Sequence, residues 1–299
     1  MSNAHRAGIL RFRTSKAENQ DGQGTGRFGR EVMRPGYMID RAIAVIRPFR
    51  FRGKYRLLNF VTPDEGIRNA QVFGLRFELD LGDWIQRSIY LGTFELFETR
   101  LVAGFLAPGM TVIDVGANVG YYTALAASRV GSKGRIFAIE PDARAFARLK
   151  KLISENHLPV SAFNIGLGEK SGEENLYQSP GSRNNSPTMI AHGGLAPTAT
   201  VSIRRLDDCM DEWEMTHVDL LKIDVEGWEP HVFRGASRAL ESGQISAILC
   251  EFNDHWLRAS GSSAQGLWKM LTGFGFRPTH HVDVDRFPRD GAVNCLLVR

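Results

Sequence analysis

The sequence predicts an α/β fold in which helices cover both faces of a mostly parallel, doubly wound sheet. Short apolar runs bounded by turn signals recur along the chain, and the stretch Leu220-Leu221-Lys222-Ile223 shows their nearly continuous apolar character. Such runs are typical of strands that are buried on both faces. Helical patterns lie between them, and this alternation of strands and helices favours a parallel sheet.

Six of these runs are predicted to be the central strands. They are short apolar runs bounded by turn signals, and they cover residues 111–115, 135–140, 160–165, 218–224, 245–251 and 292–298. Pro141 and Asp142 predict the start of one helix, and a second helix around Tyr122 is predicted to end at Gly131. Before these elements, residues 75–81 alternate as a half-buried strand does.

Composition divides the chain into three parts. Residues 1–36 are rich in Gly, Arg, Ser and Gln without hydrophobic periodicity, which predicts a disordered basic tail. Residues 37–70 mix apolar and basic side chains and are predicted to be a helical accessory segment. The folded domain is expected over residues 71–299, and an inserted loop or hairpin is expected at about 176–203, because the third and fourth strands are unusually far apart.

Length and composition place the chain among ordinary folded proteins. It has 299 residues, of which 43% are hydrophobic and 23% are charged. No apolar run approaches the roughly 18 residues of a membrane span, and the N-terminus lacks the apolar core of a secretory signal, so a cytoplasmic protein is expected. Cys209, Cys250 and Cys295 are too widely spaced for a zinc site or disulfide framework, and the last two are predicted to be core thiols.

Positive charge is concentrated at the N-terminus. Residues 1–56 contain 13 Lys and Arg against 4 Asp and Glu, whereas the remainder contains 24 against 29. A basic arm of this kind is compatible with weak contact to an anionic membrane and equally with a solvated tail. No recognised nucleic-acid motif accompanies the charge, so specific nucleic-acid binding is not expected.

Four predicted strands finish with a carboxylate, namely Asp114, Glu140, Asp224 and Glu251. The carboxyl ends of parallel strands share one crevice, where ligands of open α/β folds bind. Neighbouring carboxylates raise one another's pKa, so such a cluster favours a ligand that is rich in donors or positive charge. Any one of these acids could instead cap the helix that follows it.

A glycine-rich turn, Gly116-Ala117-Asn118-Val119-Gly120, follows the first strand directly. It matches neither the G-x-G-x-x-G pattern of dinucleotide sites nor a P-loop. An acid before the turn and a second acid after the next strand favour a cofactor with a ribose diol and an ammonium group. Glu140 is predicted to accept hydrogen bonds from the two ribose hydroxyls. Asp114 is predicted to orient the turn and to face the ammonium end of the cofactor, directly or through water.

At this point the motifs resemble those of the FkbM family of methyltransferases. The segment Val112–Tyr122 resembles the family's first motif, and the resemblance covers the chain from about residue 73 to the C-terminus. Further matches follow in the family's order: Gly92–Glu95, Ile139–Pro141, Leu206–Asp207, Leu221–Glu229 and Asn294–Val298. Trp228 departs from the pattern, because the family more often has a small residue there.

The resemblance implies a Rossmann-like class I methyltransferase fold. Its sheet would have seven strands with an antiparallel last strand, and an N-terminal helical extension would lie outside it. S-adenosyl-L-methionine would be the methyl donor, and the acceptor would be a hydroxyl of a sugar, glycolipid or natural product. The candidate cofactor-binding residues are Glu95, Asp114, Gly116, Asn118, Gly120, Glu140, Asn164 and Asp224.

Asp224, Glu226 and His231 are the candidate catalytic residues, because a base within reach of the acceptor hydroxyl would assist methyl transfer. Glu226 could instead cap the helix near Pro230, and a lone histidine is often structural. Oxygen ligands for a divalent cation are available, but no dense ligand motif requires a metal. Other candidates for the acceptor pocket are Asn253, Asp254 and His255 after the fifth strand, and Arg183, Asn184, Asn185 and Ser186 in the insertion.

Two other functions remain open on the sequence alone. A noncatalytic Rossmann-like protein that binds a nucleoside would keep the glycine-rich turn. A nicotinamide-dependent oxidoreductase fits less well, because the pyrophosphate pattern of glycines is absent. The oligomeric state and the identity of the acceptor are not determined by these patterns.

Overall fold

The computed structural model describes residues 43, 53–178, 186–191, 193–283, 287 and 291–299. The predicted basic tail and residues 37–42 and 44–52 of the predicted accessory segment therefore lie outside the described residues. The chain divides into two compact units, residues 1–62 and 63–299. In the first unit, helix α1 (Lys54–Val61) follows Gly53 and ends at Thr62, whose N–H and hydroxyl both donate to the Leu58 carbonyl.

The second unit begins at Pro63, which is earlier than the predicted start at residue 71. Its strands are β1 (Ile67–Val72), β2 (Leu75–Asp80), β3 (Thr111–Val115), β4 (Arg135–Ile139), β5 (Val160–Phe163), β6 (Gly166–Leu167), β7 (Gly172–Leu176), β8 (Ala199–Arg204), β9 (Leu220–Ile223), β10 (Ala247–Phe252), β11 (Arg277–Pro278) and β12 (Val293–Val298). Strand β1 falls at the end of the segment that was predicted to be helical.

Helices separate most of the strands in the described part of this unit. They are α2 (Trp84–Leu91), α3 (Leu96–Phe105), α4 (Tyr121–Val130), α5 (Ala143–Glu155), α6 (Leu206–Glu212), α7 (Glu229–Arg234), α8 (Ser237–Glu241), α9 (Asp254–Ala259) and α10 (Ala264–Gly273). None of the described helices is both long and apolar enough to cross a membrane.

Within the described residues, seven strands form the central sheet in the order β5-β4-β3-β9-β10-β12-β11. Strand β3 pairs in parallel with β4 and β9, and β9 pairs in parallel with β10. Strand β12 is antiparallel to both of its neighbours. This arrangement confirms the prediction of a mostly parallel sheet with an antiparallel last strand.

Burial explains why the central strands have nearly continuous apolar sequences. All four residues of β9 are buried, and Ile113, Leu221 and Ile248 of neighbouring strands belong to one core cluster. Helix α5 begins where the sequence predicted, since the side chain of Asp142 accepts hydrogen bonds from the first-turn N–H groups. The predicted core positions of Cys250 and Cys295 are confirmed, and neither thiol forms a disulfide.

Two smaller sheets accompany the central one in the described residues. Strands β1 and β2 form an antiparallel hairpin. Strand β8 pairs with β6 and with β7, where Gly172 lies opposite Ile203. The inserted hairpin therefore begins a few residues before the predicted start at 176. Its residues 179–185 and 192 lie outside the described part.

Candidate functional site

A cavity of about 290 Å³ lies at the carboxyl ends of the parallel strands. Its walls come from the turn after β3, the end of β4, the loop after β9 and the end of β10. Helices α2, α4, α5 and α9, the α2–α3 connection and the insertion also contribute to the lining. The crevice therefore lies where doubly wound folds bind their ligands.

The glycine-rich turn after β3 packs directly against the Asp224 backbone and the Leu152 side chain. Gly116 has a φ of 72°, and a Cβ atom there would lie 1.9 Å from the carbonyl oxygen of Asp224. Gly120 has a φ of 91°, and a Cβ atom there would lie 2.6 Å from Leu152. These two positions need glycine, which confines the predicted turn to a path along the cavity wall.

Glu140 joins this turn to the end of β4. One carboxylate oxygen accepts from the Asn118 N–H at 2.8 Å, and the other accepts from the Asp142 N–H at 2.8 Å. Burial raises the pKa of Glu140 to about 7, although both hydrogen bonds oppose the rise. Each oxygen of a carboxylate can accept a second hydrogen bond, so Glu140 can also bind two donors from the cavity, as its predicted role requires.

Asp114 lies behind the turn, and it is not among the residues that line the cavity. Its side chain is buried, accepts from the Thr123 hydroxyl at 2.6 Å and lies 3.4 Å from the Lys222 ammonium. Its expected contact with the ammonium end of a ligand, directly or through water, stays a prediction. In this structure Asp114 acts on the turn through Lys222, which donates to the Gly116 carbonyl.

Lys222 is the buried cation of the site. Its ammonium donates to the carbonyl of Gly116 at 2.8 Å and lies 3.7 Å from the carboxylate of Asp224. Burial alone would lower the pKa of Lys222, but the carboxylates of Asp114, Asp224 and Glu95 outweigh this effect and raise it. Lys222 is therefore charged, and it links the turn after β3 to the acids of the cavity.

Four carboxyl groups besides Glu140 line the cavity: Glu95, Asp224, Glu226 and Glu251. Burial, reinforced by Asp224, raises the pKa of Glu95 to about 7 and that of Glu226 to about 8, and it also raises the pKa of Glu251 well above its ordinary value. One oxygen of Glu251 is buried and has no hydrogen-bond partner among the described residues. We name these four residues the carboxyl cluster.

Glu226 has an unusual backbone conformation, with a φ of 52°. The N–H groups of Val225 and Gly227 on either side of it donate to the carboxylate of Glu229. The loop before α7 is therefore held by Glu229 and not by Glu226, and the Ser186 hydroxyl of the insertion lowers the pKa of the Glu226 carboxyl. The suggested capping role of Glu226 is replaced by a place on the cavity wall.

Two predicted site residues lie away from this wall. His231 stacks on Trp228 with ring centroids 3.9 Å apart, and it is not among the lining residues. Asn164 is exposed and donates to the carbonyls of Glu140 and Pro141 at 2.8 and 2.9 Å. The catalytic role of His231 and the cofactor contact of Asn164 stay predictions, and in this structure His231 packs on Trp228 while Asn164 braces the turn after β4.

Of the candidate residues after β10 and in the insertion, some line the cavity and others do not. Asn253 lines the cavity, whereas Asp254 is bound to Arg258 and the Ala264 N–H, and His255 is not among the lining residues. Ser186 lines the cavity. The other insertion candidates, Arg183, Asn184 and Asn185, lie outside the described residues.

Sequence reasoning missed Lys222 and Trp84 as site residues. A lysine inside the apolar run of β9 was the available signal for Lys222, because a buried lysine requires partners. Trp84 lines the cavity while its side chain remains 59% exposed, and nothing in the sequence distinguished it from other aromatic residues of the helical region. Within the described ranges, no group of three His, Cys, Asp or Glu is arranged to hold a metal ion.

Three curated relatives resemble this chain in sequence. The AMB antimetabolite synthetase AmbE of Pseudomonas aeruginosa is 27% identical over 65% of this chain and 11% of its own length. The hexuronic acid methyltransferase AglP of Haloferax volcanii is 28% identical over 47% of this chain and 54% of its own. The 2-O-methyltransferase NoeI of Sinorhizobium fredii is 25% identical over 66% of this chain and 83% of its own. The chain thus spans about half of AglP and a small part of AmbE.

A family model extends the likeness beyond single relatives. The model described as the methyltransferase FkbM domain matches residues 114–278, which is more than half of the chain. The match includes the glycine-rich turn, Glu140 and the loop that carries Asp224 and Glu226. The chain therefore belongs to the FkbM methyltransferase family.

Proposed function

We propose that this chain transfers a methyl group from S-adenosyl-L-methionine to a hydroxyl group of a sugar or sugar-containing acceptor. The carrying observation is that a glycine-rich turn, Glu140 and the carboxyl cluster line one cavity. The proposal does not depend on the residues outside the described ranges.

The cavity suits a positively charged nucleoside and not a phosphate. Its described lining residues include five acids and one cation, Lys222, whose ammonium is already bound to the Gly116 carbonyl. A phosphate group would be repelled by these carboxylates, whereas a ligand with sulfonium and ammonium groups would relieve the repulsion between them. Glu140 would hold the ribose hydroxyls, and the Gly116 and Asn118 backbone would lie along the nucleoside.

The names of the relatives support a sugar-type acceptor. AglP is named as a methyltransferase of hexuronic acid and NoeI as a 2-O-methyltransferase. Ser186 and Asn253 add neutral polar groups to the cavity wall, and sugars require many hydrogen bonds. The described site therefore contains groups that suit a hydroxyl-bearing acceptor next to the carboxyl cluster.

The chain's own residues have two tasks in this reaction. The first is to hold the acceptor oxygen in line with the methyl group, and good orientation alone can supply roughly 7–11 kcal/mol. S-adenosyl-L-methionine supplies a methyl group that its sulfonium already activates. The second task is to remove the hydroxyl proton, for which Asp224 and Glu226 are the best placed carboxylates.

The location of the protein and its partner are further parts of the proposal. The proposed location is the cytoplasm, where the buried thiols of Cys209, Cys250 and Cys295 would stay reduced. The proposed partner is a small-molecule or carbohydrate acceptor.

Calorimetry tests the cofactor directly. Titrations with S-adenosyl-L-methionine, S-adenosylhomocysteine and NAD should show binding of the first two and none of NAD. Glu140→Ala should weaken the binding of S-adenosylhomocysteine about tenfold or more, since hydrogen bonds to a charged group are lost. Glu173→Ala, at an exposed position of β7, is the matched control.

Two results would end the proposal. One is tight binding of NAD without binding of the methionine nucleosides. The other is cofactor binding without transfer of labelled methyl groups to any hydroxyl acceptor, which would leave a nucleoside-binding protein. An unchanged affinity in Glu140→Ala would remove Glu140 from the ribose role.

A further inference from the structure

The segment Ser186–Ile190 of the insertion packs against the loop that carries Glu226. A Cβ atom on Gly227 would lie 2.6 Å from Ile190, and the Thr188 hydroxyl donates to the Glu226 carbonyl. Met189 lines the same cavity as Glu226. The insertion is therefore part of the cavity wall and not only a surface decoration.

Thr188 is the most constrained residue of this segment. Its side chain is 3% exposed, and its hydroxyl donates to the Glu226 carbonyl at 2.9 Å and accepts from the Ile190 N–H at 3.1 Å. The Thr188 backbone also pairs with that of Tyr177 through two hydrogen bonds. The hydroxyl is thus fixed on both sides, and it in turn fixes the carbonyl of Glu226.

The backbone of Glu226 needs such support. Its φ of 52° lies in the left-handed region, which side chains other than glycine rarely adopt. A residue with this conformation persists only when surrounding contacts determine it. Glu229 fixes the N–H groups on either side, and Thr188 fixes the carbonyl of Glu226 itself.

Ser186 holds the other end of Glu226. Its hydroxyl accepts from the side-chain amide of Asn118 in the glycine-rich turn at 3.5 Å, and it lowers the pKa of the Glu226 carboxyl by favouring the charged form. Ser186 therefore stands between the turn that would hold the cofactor and the carboxylate that would receive the acceptor's proton.

We propose that Thr188 and Ser186 are positioning residues, through which the insertion holds Glu226 on the cavity wall in the conformation that receives the acceptor. This inference rests on the proposed function for the role of Glu226. The geometry that it asserts concerns only this chain's own residues, so it can be tested without an acceptor.

The experiment follows the carboxyl group of Glu226 in the full-length protein by ¹³C NMR. Glutamate labelled at Cδ gives resonances whose pH titration reports each carboxyl, and Glu226→Gln identifies the resonance by its loss. Ser186→Ala should raise the pKa of Glu226, because a hydroxyl that favours the carboxylate is removed. Thr188→Val should lower it towards its ordinary value, because the loop opens to water.

Two further variants separate positioning from general damage. Thr188→Ser keeps the hydroxyl and should restore the original titration of Glu226. Thr200→Val removes a hydroxyl at an exposed position of β8, where it forms a hydrogen bond with the side chain of Asn175. This variant should leave the titration of Glu226 unchanged. If Thr188→Val fails to fold, Ser186→Ala still decides, since its side chain faces the cavity.

The inference is overturned if the Glu226 titration is the same in Ser186→Ala and Thr188→Val as in the original protein. An equal shift in Thr200→Val would also overturn it. If a variant shifts the Glu226 titration and loses methyl transfer, the inference stands. If the original protein itself never transfers methyl groups but the variants still shift the titration, only the proposed function fails.

Discussion

Replacing Lys222 with methionine should destabilise the protein more than any surface charge change. The two side chains have similar length, so the substitution mainly removes the ammonium that pairs with Asp114. At 3.4 Å, this pair attracts by about 5 kcal/mol in an effective dielectric of about 20. Both side chains are buried, so no solvent replaces the lost partner of Asp114.

The net loss is smaller than this attraction, because Lys222 no longer has to be desolvated. Removal of one partner from a buried ion pair typically costs about 3–5 kcal/mol. Carboxyl repulsion near Asp224 should add to the loss, since Lys222 also faces that side chain. We therefore expect Lys222→Met to lower the free energy of unfolding by about 3–5 kcal/mol.

Urea unfolding followed by circular dichroism measures this quantity. Lys151→Met is the control, since Lys151 is 44% exposed and pairs with Glu78 on the surface, where ion pairs contribute at most about 1 kcal/mol. The double variant Asp114→Asn with Lys222→Met should recover part of the loss. A loss below about 1 kcal/mol in Lys222→Met would refute the reasoning, because it would show that Asp114 does not need its partner.

Three other predictions follow from single residues. Gly116→Ala should weaken S-adenosylhomocysteine binding about tenfold or more in calorimetry, because its methyl group clashes with the loop after β9, whereas Gly109→Ala, with open space around it, should not. The buried Glu229, whose pKa is raised to about 7, stabilises the fold in its protonated form, so stability should fall as pH rises from about 4.5 to 7. Urea unfolding at several pH values should show a shallower fall in Glu229→Gln but not in exposed Glu173→Gln. Glu226→Gln should lower the rate of labelled methyl transfer by about 10²–10⁴ while sparing S-adenosylhomocysteine binding, and an unchanged rate would shift the base to Asp224.

Long periodic segments of the fold could be predicted from sequence. Strand β3 was predicted at its observed limits and helix α5 at its observed start, because burial on both faces and a capping aspartate leave clear patterns. Strands β6 and β11 have only two residues each, and their pairing depends on partners far along the chain. The hairpin start at Gly172 was missed because β7 is largely exposed and lacks an apolar pattern.

The site could be predicted less completely than the fold. Glu140 and Glu226 lie on the cavity wall, as expected from their positions after strands. Asp114 was expected there by the same argument, but it lies within β3 and its side chain is bound behind the turn. His231 lies on a helix of six residues, too short for periodicity to show which face meets the cavity. Spacing along the chain therefore locates the crevice, whereas side-chain direction decides which acids enter it.

The carboxyl cluster also links stability to function. Burial of Glu95, Glu226 and Glu251 beside Asp224 disfavours their charged forms, as their raised pKa values show. Well-packed apolar side chains would avoid this cost, and among the described lining residues only Lys222 offsets it with positive charge. Locally unfavourable arrangements of this kind are expected where a ligand must be bound. A ligand with positive charge would turn the repulsion into attraction, so the feature that weakens the free protein is the same feature that would select the methyl donor.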